Sequence, residues 1–284
     1  NKISRNKSLL KEIIKSKHII ISAGAIEASI AFLISILRIK KDNKIILYLP
    51  FFFDRTLIWP FPLGNIYNKF LKIILNKFNA VLTINDLNKQ IIDEKVKIPV
   101  KRISNKITNK KLKYPLKITK PRLVFIGRIA PQKRIVQLII WCNNKKIPID
   151  ELLIIGDGPQ MNLVKKLSKN MLNIKITFTG WLTHSEQAKI LRKNDILIIN
   201  SIIEGDPLVV SESLVKGIKC ISRRIRSLQY ILHKDYLFDS QNDLIKVIER
   251  TIKEKPEVFV KKNKYIQKNR NVQIKEFVDF LNKI

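Results

Sequence analysis

The sequence is poor in cysteine, glycine and acidic residues. Its 284 residues include 2 Cys, 8 Gly and 23 Asp and Glu, against 55 Lys and Arg. Cys142 lies in an apolar helical pattern and Cys220 in a strand-like run, and neither has the Cys-x-x-Cys or His-x-Cys spacing of a metal or redox site. We therefore expect two structural thiols in a reducing compartment.

A long uncharged apolar run is also missing. The longest apolar stretch, residues 23–39, carries Glu27 and Arg38, and it falls short of the ~20 uncharged residues that a membrane-spanning helix requires. We interpret it as a buried helix. Residues 1–5 lead into mixed Lys and Leu, so no signal peptide is expected, and the missing initiator Met is consistent with a fragment.

The excess of Lys and Arg gives a formal net charge of +32. Such a surface attracts nucleic acid, anionic lipid or phosphorylated substrates, and the charge alone does not choose among them. Part of it reflects a general abundance of Lys, Asn and Ile. Nucleic acid is not a predicted partner, because the sequence has no zinc spacing, RNA-binding strand motif or regular basic stripe.

Short apolar runs alternate with amphipathic helical patterns, which is typical of β-α units and parallel sheets. The simplest arrangement is an α/β fold with two Rossmann-like halves. In the first half we predict strands at residues 18–22, 44–49, 80–84 and 100–103, and helices at 25–39 and 65–78. Residues 106–120 are rich in Lys, contain Pro115 and lack a sustained period, as in a linker.

The second half is more regular. We predict strands at residues 122–126, 152–155, 175–179, 196–199 and 219–222, with helices at 134–143, 160–168, 185–193 and 208–216 between them. These elements complete a doubly wound sheet. Residues 243–284 then predict two or three helices separated near Pro256. The predicted domains are residues 1–119 and 120–255, followed by helices in 256–284.

Residues just beyond the strands carry the functional signal, because ligands of doubly wound sheets bind outside the carboxyl ends of the strands. Gly127 and Arg128 follow one strand, and Lys133 stands at the start of the next helix. Two cations near a helix N-terminus suit a diphosphate, and a solvated basic turn explains them equally. The Gly-Asp-Gly-Pro turn at residues 156–159 lacks the third glycine of the dinucleotide fingerprint, which favours a structural turn.

A third strand end combines carboxylates with a helix N-terminus. Glu204, Gly205 and Pro207 precede a predicted helix whose first turn offers unpaired N–H groups. Glu212 lies one turn inside that helix and is able to face the same crevice. A surface acid is the alternative for Glu212, but its apolar surroundings argue against it.

These motifs together resemble a known family. The order G-R-x-x-x-x-K, G-D-G-P, F-T-G-W and E-G-D-P-L-V-V-S-E over residues 121–223 is similar to the donor half of retaining GT-B glycosyltransferases of glycosyltransferase family 4. The helix predicted near residues 272–284 resembles the one that crosses back to the first domain in that family. The resemblance implies an acceptor-side first domain and a second domain that binds a nucleotide-sugar donor of the UDP or GDP type.

The resemblance implies a role for each matched residue. Arg128 and Lys133, beside Gly127, would hold the donor diphosphate, and Glu212 would bond the ribose hydroxyls. Trp181 and Leu182 would border the base. The sugar would be faced by Glu204, Gly205, Asp206 and Pro207, while the N–H groups of Leu208 and Val209 would assist at the diphosphate.

The implied chemistry is transfer with retention to an envelope glycan such as lipopolysaccharide or capsule, by a hexosyl- or N-acetylhexosaminyl-type enzyme. No metal or other cofactor is expected, since Arg128 and Lys133 would neutralise the diphosphate and the sequence has no Asp-x-Asp pair. Glu204 would support the positive sugar rather than act as a nucleophile. The expected location is cytoplasmic, peripheral at the inner face of the membrane.

The first half departs from the family pattern. The chain opens with a helical pattern at residues 8–15, so the first strand and Gly-rich loop of the family are expected to be missing and the domain shortened. His18 stands at the edge of its strand, and we predict a surface histidine rather than a catalytic one. Asp206 stands where an aromatic residue is common in the family. A catalytically silent GT-B subunit that binds glycan or stabilises a partner is the alternative function.

The predicted helix at residues 65–78 allows two interpretations. It carries Lys69, Lys72 and Lys77 on its polar side and follows aromatic residues at 51–53 and 59–61. Basic faces with aromatic neighbours bind anionic headgroups. Packing on the first sheet explains the same apolar stripe and is favoured. The partners expected overall are a nucleotide-sugar donor, a glycan or lipid-linked acceptor, and anionic lipid of the inner leaflet.

Overall fold

The structure is a computed structural model that describes residues 18–22, 44–49, 62–84, 86–103, 120–263 and 270–284. The chain forms two compact units, residues 1–106 with 268–284 and residues 107–267. Each unit contains one sheet in which every strand pairing is parallel. This confirms the predicted α/β fold class with two Rossmann-like parallel sheets.

The first unit has a four-stranded sheet in the order β1-β2-β3-β4. Its strands are β1 (His18–Ser22), β2 (Lys44–Tyr48), β3 (Ala80–Thr83) and β4 (Val100–Arg102). The helices described in it are α1 (Leu63–Leu75), α2 (Asp86–Asp93) and α9 (Arg270–Lys283), numbered along the whole chain. The four predicted strands and the helix at 65–78 are confirmed within about three residues, while α2 was not predicted.

Alternating residues of this sheet face two different helices. Leu47 and Val81 belong to a buried cluster with Leu71 and Leu75 of α1. The neighbouring strand residues, including Ile46, form a second cluster on which apolar side chains of α9 pack, namely Phe277, Phe280 and Leu281. Period-two alternation along the strands therefore fills a layer on each side of the sheet.

Several sequence predictions lie outside the described residues. They are the helical patterns at residues 8–15 and 25–39, the linker from residue 106 to residue 119, and the missing first strand and Gly-rich loop. Of the helices that the structure does describe, none combines the length and apolar character needed to cross a bilayer.

The second unit has a six-stranded sheet in the order β10-β9-β8-β5-β6-β7. Its strands are β5 (Leu123–Ile126), β6 (Glu151–Ile155), β7 (Lys175–Gly180), β8 (Ile196–Ile199), β9 (Lys219–Arg223) and β10 (Leu237–Phe238). Its helices are α3 (Ile135–Cys142), α4 (Met161–Ser168), α5 (His184–Ile190), α6 (Leu208–Val215), α7 (Gln241–Lys253) and α8 (Pro256–Lys262). All predicted strands and helices of this half are confirmed within about three residues.

One correction concerns the size of this sheet. Five strands were expected to complete it by Arg223, whereas β10 adds a sixth by pairing with β9. β10 has only two residues, so neither apolar alternation nor a run of β-branched residues marks it in the sequence. The helix that follows it, α7, begins with a capping box in which Ser240 accepts a hydrogen bond from the Asp243 N–H.

Two buried cationic side chains form hydrogen bonds at the amino ends of strands in this sheet. The Arg122 guanidinium donates to Asp195 at 2.8 and 3.1 Å and to the Ile190 carbonyl at 2.6 Å. Residue 122 was predicted as the first of a strand, but β5 begins one residue later. Lys219 of β9 is 5% exposed and donates to the Thr251 carbonyl at 2.7 Å, at the end of α7. Burial lowers the pKa of its ammonium group.

Both cysteines are buried and unpaired. Burial raises the pKa of the Cys142 thiol to about 12 and also raises that of Cys220. Since the thiolate is the reactive form, neither sulfur is a nucleophile near neutral pH. Both thiols therefore have the structural character predicted from the sequence.

Candidate functional site

The second sheet has one point where its strand order reverses. From the central strand β5 the chain proceeds through β6 and β7 on one side, and then through β8, β9 and β10 on the other. The reversal separates the neighbours β5 and β8, whose carboxyl ends lie at the same edge because they are parallel. Ligands of doubly wound sheets bind in the crevice at such a point. The loops after β5 and β8 are the two that carry most of the predicted site residues.

The β5 loop presents the two predicted cations differently. The side chain of Arg128 is exposed, whereas that of Lys133 is only 23% exposed. Lys133 ends a short 3₁₀ turn, Pro131–Lys133. Arg134 follows with φ 51° and ψ 37°, a left-handed conformation, before α3 begins. The cations were predicted at the start of a helix, and the kink at Arg134 instead separates Lys133 from α3.

The Gly-rich turn after β6 supports this loop through backbone contact. The Gly127 N–H donates to the Ile155 carbonyl at 3.0 Å, and the Ile129 N–H donates to the Asp157 carbonyl at 2.8 Å. Gly156 has φ +137°, and a Cβ at that position would lie 1.9 Å from the Gly127 oxygen. A Cβ on Gly158 would lie 2.4 Å from the Ile129 oxygen. These contacts agree with the interpretation of residues 156–159 as a structural turn.

The β8 loop brings Glu204 to Lys133. The ammonium group of Lys133 lies 2.5 Å from Oε1 of Glu204, and the Glu204 side chain is 11% exposed. The Ser201 hydroxyl also contacts this carboxylate oxygen. The Ser227 hydroxyl donates to the Glu204 carbonyl at 2.8 Å. A carboxylate and an ammonium group, taken from two different strand ends, therefore meet at the reversal point.

Two further hydrogen bonds join the loops. The Ile202 N–H donates to the Gln132 carbonyl at 2.8 Å. The buried Asn200 side chain donates to the Arg134 carbonyl at 3.1 Å, an oxygen that also accepts a hydrogen bond from the Leu138 N–H at 3.0 Å. The relative position of Lys133 and Glu204 is therefore held by these two hydrogen bonds as well as by the ion pair.

The helix after the β8 loop begins as predicted. α6 starts at Leu208 after Pro207, so the N–H groups of Leu208 and Val209 belong to its first turn and have no acceptor within the helix. Glu212 is 7% exposed, which excludes the alternative of a surface acid. Its Oε2 atom lies 3.7 Å from Nδ1 of His184 and 3.9 Å from Nζ of Lys216.

His184 links Glu212 to the loop after β7. It is the first residue of α5, directly behind Trp181, Leu182 and the capping residue Thr183. Trp181 is 63% exposed, and Leu182 packs against the core. His184, which contacts the buried carboxylate of Glu212, is therefore three residues from an exposed tryptophan. Gly205 and Asp206 are half-buried in the β8 loop.

The structure thus assembles only part of the predicted set through direct contacts. Lys133 and Glu204 are joined, whereas Arg128 has no hydrogen bond or ion pair to the residues that the structure describes. Sequence reasoning missed Ser201, Ser227 and His184. No motif marks them, although Ser201 stands directly beyond a strand end, where ligands of doubly wound sheets bind. Within the described ranges, no group of three or more His, Cys, Asp or Glu residues is placed to hold a metal ion.

Known proteins share both the sequence pattern and the fold. The sequence model described as "Glycosyl transferases group 1" matches residues 106–272. The chain is 29% identical over 119 residues to the UDP-Gal:alpha-D-GlcNAc-diphosphoundecaprenol alpha-1,3-galactosyltransferase of Escherichia coli, which covers 39% of the chain and 30% of that protein. It is 26% identical over 132 residues to the N-acetyl-alpha-D-glucosaminyl L-malate synthase of Bacillus anthracis, and the match covers 45% of the chain and 34% of that protein.

A solved structure extends the likeness to both units. The lipopolysaccharide outer core galactosyltransferase WaaB in its apo form superposes with a TM-score of 0.68 at 18% identity, covering 99% of the chain and 79% of that structure. At this identity the likeness shows the fold alone, which is GT-B. The chain matches only about a third of the length of the two curated relatives, 30% and 34%.

Proposed function

Because the chain belongs to the group 1 family of glycosyl transferases, we propose that it transfers a sugar from a nucleotide-sugar donor, with retention, to an envelope glycan acceptor. The contact between Lys133 and Glu204 at the strand-order reversal is the observation that carries this proposal. A donor sugar diphosphate needs a cation beside its phosphates and a polar group beside its sugar. This pair supplies both from adjoining loops.

The buried carboxylate of Glu212 completes the proposed donor site. It lies on α6, the helix whose first-turn N–H groups at Leu208 and Val209 favour an anion. We assign the diphosphate to those N–H groups with Lys133 and Arg128, and the ribose hydroxyls to Glu212. Trp181 and Leu182 then border the base, and the residues from Glu204 to Pro207 face the sugar.

In the proposed reaction the bond between the sugar anomeric carbon and the diphosphate oxygen breaks, and the electron pair leaves with the diphosphate. The acceptor hydroxyl forms the new bond on the same face, and its proton passes to the leaving phosphate. Lys133 and Arg128 stabilise the negative charge that develops on the leaving group, a contribution of about 3 kcal/mol per well-placed donor. Glu204, held by Ser201, stabilises the positive charge on the sugar.

Three narrower statements belong to the same proposal. The sugar is a hexosyl or N-acetylhexosaminyl group carried by UDP or GDP. No divalent ion takes part, since the two cations and the helix N-terminus neutralise the diphosphate. The reaction takes place in the cytoplasm, on a glycan or lipid-linked acceptor.

Nucleotide binding tests the donor site directly. UDP, GDP and their sugars are screened by thermal shift and then by donor hydrolysis. A ligand at one hundred times its Kd raises the free energy of unfolding by about 2.7 kcal/mol. Glu212→Gln keeps the side-chain volume and should abolish this shift, whereas Glu249→Gln, on the exposed side of α7, should retain it. The donor-site assignment fails if no nucleotide binds or if the two variants respond alike.

A further inference from the structure

Helix α1 has two different apolar sides. One is buried against the first sheet and includes Leu71 and Leu75. The other is a stripe formed by Leu63, Ile66, Phe70 and Ile73, which are 56%, 58%, 49% and 60% exposed. The spacing of three, four and three residues places these four side chains along one line of the helix. Since the first side already packs on the sheet, burial in the core does not account for the second.

The stripe lies in a strongly basic part of the chain. The exposed residues Lys69 and Lys72 belong to α1, and Lys77 follows its end. Between Asp54 and Asp86 the sequence contains no acidic residue. The surface of α1 therefore combines large apolar side chains with exposed lysines, and the helix itself contains no acidic residue.

This combination distinguishes between the partners that an exposed apolar stripe can have. A second copy of the chain would bring two basic helices together, each on a protein of net charge +32. Such a contact is opposed by charge repulsion. An anionic lipid surface attracts the lysines and also accepts the apolar side chains at its acyl boundary. The segment just before α1 is rich in aromatic residues, with Phe51, Phe52, Phe53, Trp59 and Phe61, and aromatic rings favour the depth of the headgroups.

We propose that α1 lies parallel to an anionic membrane and binds it through a lipid-docking surface. This surface consists of Leu63, Ile66, Phe70 and Ile73 with Lys69 and Lys72. The apolar stripe enters the interface while the ammonium groups remain at the level of the phosphates. This surface belongs to the first unit and includes no residue of the proposed donor site. Only its use, to meet a lipid-linked acceptor, rests on the proposed function.

Vesicle sedimentation tests the proposal without any nucleotide. The full chain is mixed with vesicles of phosphatidylcholine alone or with about a third phosphatidylglycerol, at low and at high salt. We expect binding to the anionic vesicles only, and weaker binding at high salt because the screening length shortens. Lys69→Glu with Lys72→Glu should reduce the partition coefficient by at least about thirtyfold at low salt, since the loss of each lysine costs about fivefold and each new carboxylate is repelled by the surface. Ile66→Gln with Ile73→Gln should reduce it by about tenfold or more.

Matched control variants separate membrane binding through this surface from the effects of net charge and of exposed apolar side chains elsewhere. Lys165→Glu with Lys166→Glu makes the same charge change on the exposed side of α4, and Leu172→Gln removes a side chain that is 91% exposed. Both should bind vesicles within about twofold of the parent chain, and thermal unfolding should be unchanged in all variants because every site is on the surface.

Three results would overturn the proposal. They are equal binding to neutral vesicles, equal loss of binding in the control variants, and a concentration-dependent dimer that α1 variants abolish without any vesicle binding. A failure of donor binding would leave the vesicle result unaffected, because the Glu212 variants and the α1 variants change different units. The two proposals are therefore refuted by different experiments.

Discussion

Replacing Glu204 by glutamine separates donor binding from turnover. In the free protein Lys133 is 2.5 Å from Glu204, and the two side chains are 23% and 11% exposed. A diphosphate that binds Lys133 must compete with this carboxylate. Glu204→Gln keeps the shape of the side chain and removes its charge, so it removes the competitor and also the group assigned to the positive sugar.

The two effects have opposite signs. A pair of this kind contributes about 1 kcal/mol after screening by the remaining solvent, well below the several kcal/mol of an unscreened pair. Removing the competing charge should therefore tighten binding of UDP or GDP by about fivefold. Loss of a preorganised charge at the reacting sugar should lower the rate of transfer or donor hydrolysis by a factor of about 100 to 1000.

Calorimetric titration gives the Kd, and release of nucleoside diphosphate from the sugar donor gives the rate. Ser201→Ala is the matched control, since it removes a neighbour of the carboxylate but keeps its charge. It should change both quantities by less than Glu204→Gln. The reasoning is refuted if Glu204→Gln weakens nucleotide binding tenfold, or if it leaves the rate unchanged.

Two further predictions concern stability. Lys219→Met leaves the Thr251 carbonyl without its donor and should lower the free energy of unfolding by about 2 kcal/mol in urea titrations. An unchanged urea midpoint would show that the hydrogen bond from Lys219 does not stabilise the fold. Burial raises the pKa of the Glu254 carboxyl, but hydrogen bonds from Lys262 and Tyr236 outweigh this and hold the pKa below its ordinary value of 4.5. A lowered carboxyl pKa stabilises the fold above 4.5, and the contribution is lost as the pH falls through the lower folded value. Glu254→Gln should flatten the fall in stability between pH 5 and about pH 3, and parallel profiles for the two proteins would show that Glu254 does not cause it.

The second sheet could be predicted from the sequence because its strands are short runs of Ile, Leu and Val between helical patterns. β10 could not, since a two-residue strand has no period. The site was predictable only to the level of strand ends. Topology brings the loops after β5 and β8 together, but the contact between Lys133 and Glu204 joins residues 71 apart in the chain. Local patterns carry no information about such a distance.

Helix α1 shows a different limit of prediction from the sequence. Apolar periodicity predicted the helix, and packing on the sheet was the favoured explanation of its apolar residues. The structure assigns Leu71 and Leu75 to that packing and leaves Phe70 and Ile73 exposed. A sequence records which residues are apolar, but two adjacent apolar stripes on a short helix merge into one broad pattern.

The close contact between the Gly-rich turn and the β5 loop has a consequence for variation in this protein. The two segments of main chain are in direct contact, since a Cβ built at Gly156 would lie 1.9 Å from the Gly127 oxygen. This contact depends on the absence of side chains rather than on their identity. Gly156 and Gly158 should therefore tolerate almost no replacement. Replacing Arg128, whose side chain is exposed, would remove the charge that we assign to the diphosphate and leave this backbone contact in place.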